Sequence, residues 1–160
     1  MRILGLDTST TSTGYAVFDN DKLISYGTIK TPKKLDLLDK IIYIEEQVKQ
    51  IMKAKKVEFI VIEELAVMRS ASTTRALAGL LYHLLVEFRK RELLVIKVRP
   101  SEWRSVSHIK GKGREELKEN AIKFVEQNYK IKVNDDEADA ILIARYGATL
   151  EVEEIWVNYL

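Results

Sequence analysis

The chain has 160 residues, 46% of them hydrophobic, enough for one domain with a core of its own. Its 26 basic and 24 acidic side chains nearly cancel to a formal charge of +2, so net charge names no partner and the placement of charge has to be read instead. The absence of cysteine excludes disulfides and thiolate metal sites, and no apolar run approaches the ~18 residues of a membrane span.

The N-terminal apolar run meets an acid at Asp7, too early for a secretion signal, so a soluble, cytoplasmic protein is expected. Residues 3–6 read as a short buried strand ending at Asp7. Residues 14–18 form a second strand, Asp19-Asn20-Asp21 is turn chemistry, and residues 22–30 form a third. Short connections make these three an antiparallel meander. Pro32 interrupts the chain before a helix over 35–54, where Leu38, Ile41, Ile42, Val48, Ile51 and Met52 recur at helical spacing. Residues 59–62 are an apolar strand ending at Glu63. A helix over 72–89 follows, with Leu77, Leu80, Leu81, Leu84, Leu85 and Phe88 on its apolar side. Residues 93–98 form a fifth strand that stops near Pro100, and 101–113 have no clear periodicity. Such a stretch in a compact domain is often functional. Helices are expected over 114–129 and 137–150, and a loose strand or tail over 155–160. An antiparallel set followed by alternating strands and helices implies an α/β fold with a mixed five-stranded sheet flanked by helices.

Four acids fall where chemistry is done. Asp7 and Glu63 end strands. Asp136 and Asp139 open the last helix, and a spacing of three puts both carboxylates on one face. Gathered carboxylates repel unless a cation sits between them. Magnesium supplies that charge through oxygen ligands, and two such ions suit phosphodiester hydrolysis, one activating a water and one stabilising the departing oxygen. Each acid also has a plain structural reading. Asp136 alone can cap a helix, and Glu64 can be a solvated strand-end acid.

At this point the chain resembles the RuvC family of Holliday junction resolvases, within the ribonuclease H-like nucleases. The resemblance rests on Gly5-Leu6-Asp7 followed by Thr13-Gly14-Tyr15-Ala16-Val17, on Val61-Ile62-Glu63, on Gly111-Lys112-Gly113 leading into a basic helix, and on Asp136-Glu137-Ala138-Asp139-Ala140-Ile141. It implies a ribonuclease H-like fold over residues 1–160. It implies metal-binding catalytic roles for Asp7, Glu63, Asp136 and Asp139, with two Mg2+ ions per site for which Mn2+ can substitute. It further implies a homodimer that nicks two strands symmetrically and leaves 5′-phosphate and 3′-hydroxyl ends. Two departures stand out. Thr8-Ser9 replaces the family's Pro-Gly, and a lysine usual in the long loop is replaced near Trp103 and Arg104. The pattern is similar to a divergent, phage-encoded form acting on forks as well as four-way junctions, in which case it works in the bacterial host's cytoplasm.

Branched DNA needs phosphate contacts around such a site. Arg69, Arg75, Arg99, Arg104, Lys110, Lys112, Arg114 and Lys118 lie in neighbouring segments. Gly111-Lys112-Gly113 lets backbone approach a phosphate, and the next helix adds its N-terminal N–H groups. The same loop is equally an ordinary flexible link. Trp103 can stack on an exposed base or anchor its loop in the core. Ser70 or Ser72 caps a helix. His83 reads as structural, whereas His108 sits on the DNA side. The leucine-rich helix carrying Tyr82 divides between core and dimer contact.

Three rival readings remain. Residues 5–11 are also similar to the first phosphate-binding turn of actin-like and sugar-kinase ATPases, although those enzymes need a second, related domain. A non-catalytic branched-DNA-binding protein would leave the acids dispensable. An RNA-processing nuclease would share the fold.

Overall fold

The computed structural model describes residues 1–66, 69–151 and 153–154. In chain order these hold β1 (Arg2–Asp7), β2 (Ser12–Asp19), β3 (Lys22–Lys30), α1 (Leu37–Lys55), β4 (Phe59–Glu63), α2 (Ala71–Lys90), β5 (Leu94–Val98), α3 (Pro100–Val106), α4 (Arg114–Tyr129) and α5 (Asp135–Thr149). The strands form one sheet in the order β3-β2-β1-β4-β5. The first three pair antiparallel, and β4 joins β1, and β5 joins β4, in parallel. This is the mixed sheet expected from the sequence.

Side chains alternate across a strand, so each strand feeds two cores. Ile3, Phe59, Val61, Ile96 and Val98 pack with α4 and α5 on one face. Leu4, Leu6, Ile60 and Ile62 pack with α1 and α2 on the other. By the same parity Asp7 and Glu63 continue the α5 face. Leu6 is paired with Ile62, so the two acids end neighbouring strands side by side.

Several boundaries differ from expectation for local reasons. Asp36 accepts a hydrogen bond from the Asp39 N–H, so α1 starts two residues later than its apolar periodicity suggests. Asn134 and Glu137 form a capping box, which starts α5 at Asp135 and adds both Asp135 and Asp136 to its first turn. The unpatterned stretch 101–113 holds all but the first residue of the seven-residue helix α3, which Pro100 opens. On α1, Leu38 and Ile42 do not join the core. They are 70% and 48% exposed, and Tyr82 and Val86 of α2 are 60% and 52% exposed. His83 is structural as read, its Nε2 lying 2.6 Å from Glu45 Oε2 and tying α2 to α1. Residues 155–160 lie outside the described residues. Among the described residues no helix is long and apolar enough to cross a membrane.

The position of α5 depends on two glycines. A Cβ at Gly5 would lie 2.5 Å from the Ala144 nitrogen and 2.6 Å from the Ala140 oxygen. A Cβ at Gly14 would lie 2.1 Å from the Asp136 carbonyl oxygen. The helix backbone therefore rests directly on β1 and β2, where any side chain would lift it. Gly14→Ala is expected to destabilise the fold by about 2 kcal/mol or more, the range of core overpacking. Gly79→Ala serves as the control, because its nearest heavy atom is 3.8 Å away and alanine favours the helix. Urea denaturation of the two variants checks the contrast.

Candidate active site

The four acids meet in one cleft of about 420 Å³, lined by Asp7, Glu63, Asp136 and Asp139 together with Asp135, Arg104, Arg114 and Lys118. Asp7 arrives from the end of β1 and Glu63 from the end of β4. Asp136 and Asp139 come from successive turns of α5, whose seat on Gly5 and Gly14 brings them over the strand ends.

Two of the carboxylates are held by neighbours. Trp103 Nε1 donates to Glu63 Oε2 at 2.7 Å, and Ser12 Oγ donates to Asp136 Oδ2 at 2.5 Å. Asp135 accepts from Lys118 Nζ at 2.5 Å, which lowers the Asp135 pKa and raises that of Lys118. The remaining electrostatics are dominated by burial. Desolvation first, then the charges of Glu63, Asp139 and Asp136, push Asp7 well above the ordinary carboxylate range. Desolvation and Glu63 push Asp139 up to about 7, against the opposing pull of Arg104 and Lys118. Glu63 is raised by desolvation, with the Trp103 bond and Arg104 acting the other way.

The donor set is all oxygen, which fits a hard divalent cation and no soft one. Burial and mutual repulsion leave these acids short of positive charge, and such an ion supplies it. As placed, no three Asp, Glu or His side chains among the described residues close on a single point. Glu63 and Asp136 are instead turned towards Trp103 and Ser12.

The expected DNA contacts divide into three groups. Arg104, Arg114 and Lys118 line the acidic cleft. Arg69, Arg75, Lys110 and Lys112 are exposed on segments outside the cleft lining, as is His108. Trp103 is corrected. It is 0% exposed and has no free face for a base, so its loop-anchoring role holds and its stacking role does not. Arg104 lies over its ring, with the guanidinium carbon 4.7 Å from the centroid. Glu64 is the solvated strand-end acid, 3.4 Å from Lys97 Nζ.

Sequence reasoning missed Asp135 as part of the cleft and Ser12 as the hydroxyl that holds Asp136. It also missed a second hollow of about 450 Å³ beside the first, lined by Thr8, Ser9, Thr10, Thr11 and Thr73 as well as Asp7, Glu63 and Asp136. The buried Thr13 shapes that turn, its Oγ1 donating to the Ser9 carbonyl at 2.7 Å and accepting from the Ser9 N–H at 3.1 Å. The density of Ser and Thr over residues 8–13 was the available signal.

An antiparallel three-strand meander extended by two parallel strands, with acids at the ends of the central pair, is the architecture of a ribonuclease H-like nuclease. The family profile described as crossover junction endodeoxyribonuclease RuvC matches residues 3–145. The chain therefore belongs to the RuvC family, whose members are metal-dependent endodeoxyribonucleases that act on Holliday junctions. That membership removes the ATPase reading.

The Fusobacterium nucleatum crossover junction endodeoxyribonuclease RuvC is 27% identical over 151 residues, spanning 89% of this chain and 77% of that protein. Among solved structures, T. thermophilus RuvC in complex with Holliday junction substrate superposes with a TM-score of 0.77 at 18% identity, covering 92% of this chain and 93% of that one. Fowlpox virus resolvase in complex with Holliday junction DNA gives 0.65 at 16%, covering 94% and 100%. At such identities the two structures show the fold.

The raised pKa of Asp139 makes metal-free stability depend on pH. Between its ordinary value of 3.8 and about 7, the folded protein keeps a proton that the unfolded chain has lost. This contribution is fully present below about 4 and is lost as pH rises to about 7. Asp139→Asn removes that slope. In chelator at pH 8 the variant is expected to be more stable than the parent by on the order of 2 kcal/mol, with the gain vanishing near pH 4. Denaturant titrations at the two pH values measure it.

Proposed function

We propose that residues 1–160 form one nuclease domain that cuts four-way DNA junctions, and forks as well, by paired symmetric nicks in a homodimer. Asp7, Glu63, Asp136 and Asp139 are its catalytic residues and hold two Mg2+ ions, for which Mn2+ substitutes. The observation that carries this reading is the convergence of four carboxylates from β1, β4 and α5 on one desolvated cleft. Bound there, the ions supply Lewis acidity and an activated water for in-line phosphodiester hydrolysis, leaving 5′-phosphate and 3′-hydroxyl ends.

The chain's own groups do the rest. The four carboxylates bind and orient. Arg104 and Lys118 offset their charge, so the cleft accepts a phosphate as well as cations. Arg114 sits at the start of α4, whose N-terminus carries no side-chain cap, and this supports a phosphate contact there. Arg69, Arg75, Lys110 and Lys112 extend the grip along the DNA arms. The hydroxyls of residues 8–11 suit the sugar–phosphate backbone beside the cut. Exposed Leu38, Ile42, Tyr82 and Val86, on the two helices joined by His83 and Glu45, support the dimer contact. The protein then acts in the cytoplasm, the host's if it is phage-encoded.

The test is cleavage of an immobile four-way junction with and without magnesium, beside forked DNA and structured RNA. Asp7→Asn is expected to bind the junction with parental affinity and to cut at least about 100-fold more slowly, the lower end of the losses typical of site groups. Parental cutting by this variant would remove the catalytic role of Asp7, binding without magnesium-dependent cutting by the parent would show a non-catalytic DNA binder, and preference for RNA would show a processing nuclease. Arg114→Ala is expected to lower junction affinity uniformly across sequences and to reduce the salt slope by about 1. Fluorescence anisotropy across a salt series reads both.

A further inference from the structure

Trp103 reaches the acidic cleft from beneath. Its ring is fully buried in the core shared with Ile109, Ala138 and Ile141, yet its one polar atom leaves that core to meet Glu63 Oε2 at 2.7 Å. The geometry is built by short-range features. β5 pairs with β4 so that Val98 lies beside Glu63, and the Glu64 N–H donates to the Val98 carbonyl at 2.8 Å. Pro100 then opens α3 at once, and Glu102 accepts from the Arg99 N–H at 2.7 Å to fix the first turn. Trp103 follows within that turn and lands over the strand end.

An indole N–H is a donor only, with no tautomer and no rotating hydrogen. A clamped ring therefore aims it along one direction. The carboxylate it meets has several lone-pair positions, so one can be spent on the indole while the others face the cleft. Ser12 differs in kind, because the hydroxyl that donates to Asp136 can turn to suit whatever the carboxylate does. Arg104 lies over the indole, its guanidinium carbon 4.7 Å from the centroid, and a cation on that face strengthens the ring's N–H as a donor.

We propose that Trp103 is a positioning residue for Glu63: its immobile indole N–H fixes how that carboxylate presents itself to the cleft, and so sets the concentration of divalent cation the enzyme needs. The proposal rests on the reading of Glu63 as a metal-holding acid. A buried indole needs an acceptor in any protein, and mere satisfaction of its N–H would leave the metal response alone. Groups that orient a ligand from behind commonly change metal affinity or activity by 10- to 100-fold when removed.

Trp103→Phe removes the N–H and keeps an aromatic ring in the core. Its half-saturating Mg2+ concentration for junction cleavage is expected to rise about 10-fold, within that range. Its junction affinity in chelator should stay within about twofold, because the buried ring offers DNA no surface. Glu63→Gln is run beside it. If that variant is inactive while Trp103→Phe has the parental Mg2+ response, the positioning role is overturned and the reading of Glu63 stands. If Glu63→Gln cuts like the parent, the reading of Glu63 fails and the proposal with it. Equal loss of junction binding and of metal response by Trp103→Phe marks a structural role and also overturns the proposal.

A second measurement covers a Trp103→Phe protein that does not fold. Trp156→Phe leaves a single indole, whose proton–nitrogen resonance is followed during titration with Mg2+ alone. A saturating shift that is absent when Glu63→Gln is added supports the coupling. A resonance indifferent to Mg2+ at concentrations that support cleavage overturns it.

Discussion

The close seat of α5 on the sheet is the contact on which the site depends. Two strands lack side chains where the helix backbone crosses them, at Gly5 and Gly14. The consequence is chemical as much as structural. Asp136 and Asp139 project from a helix, Asp7 and Glu63 from strand ends, and neither pair can travel to the other. Only the separation of helix and sheet decides whether the four share one cleft. Ala140 and Ala144 make the same point from the helix side, since both face the sheet with small side chains. An interface built from small residues holds its geometry through backbone contact, which gives far less under strain than interdigitated side chains do.

Bringing acids together this way costs stability. Burial favours the neutral form of Asp7, Glu63 and Asp139, and neighbouring charges make it harder still for Asp7 and Asp139 to ionise. Asp7 and Asp139 record that conflict in their raised pKa values. The cleft answers it only in part. Lys118 is spent on Asp135, and Arg104 lies across Trp103 with its Nε buried and unbonded. A cation placed in such a site would relieve its repulsion. In the proposed reading the folding cost and the metal affinity are therefore the same free energy, seen in the absence and the presence of the ion.

How much of this was legible in the sequence follows from which forces act locally. Asp7 and Glu63 stand at the ends of apolar runs, and the spacing of Asp136 and Asp139 is fixed by helical geometry, so all four acids announce themselves. The sheet's order follows from connection lengths. The contacts of Trp103 with Glu63 and of Ser12 with Asp136 do not announce themselves, because the partners lie 40 and 124 residues apart in the chain. The helix α3 was hidden because seven residues give no periodicity to read, and its existence depends on Pro100 and on the Glu102 contact to the Arg99 backbone. Leu38 and Ile42 misled for the opposite reason. Their spacing is helical, but spacing cannot say whether an apolar stripe faces its own sheet or another molecule.

In the proposed reading the placement of the basic residues separates gripping from cutting. The acids sit on β1, β4 and α5, at the centre of the sheet and on the helix packed against it. Arg69, Arg75, Lys110 and Lys112 sit on exposed segments at the margin, where a substitution disturbs no packing. Arg104 and Arg114 lie between the two sets, touching the acidic cleft from α3 and α4. A protein arranged in this way can change the branch structure it prefers by altering its margin while the carboxylates stay in register. The turn that carries Thr8 and Ser9 is held by Thr13 and by Thr31, whose Oγ1 donates to the Thr10 carbonyl at 2.7 Å. In the proposed reading selectivity is a property of what surrounds the acids, and the acids themselves carry only the demand for a cation.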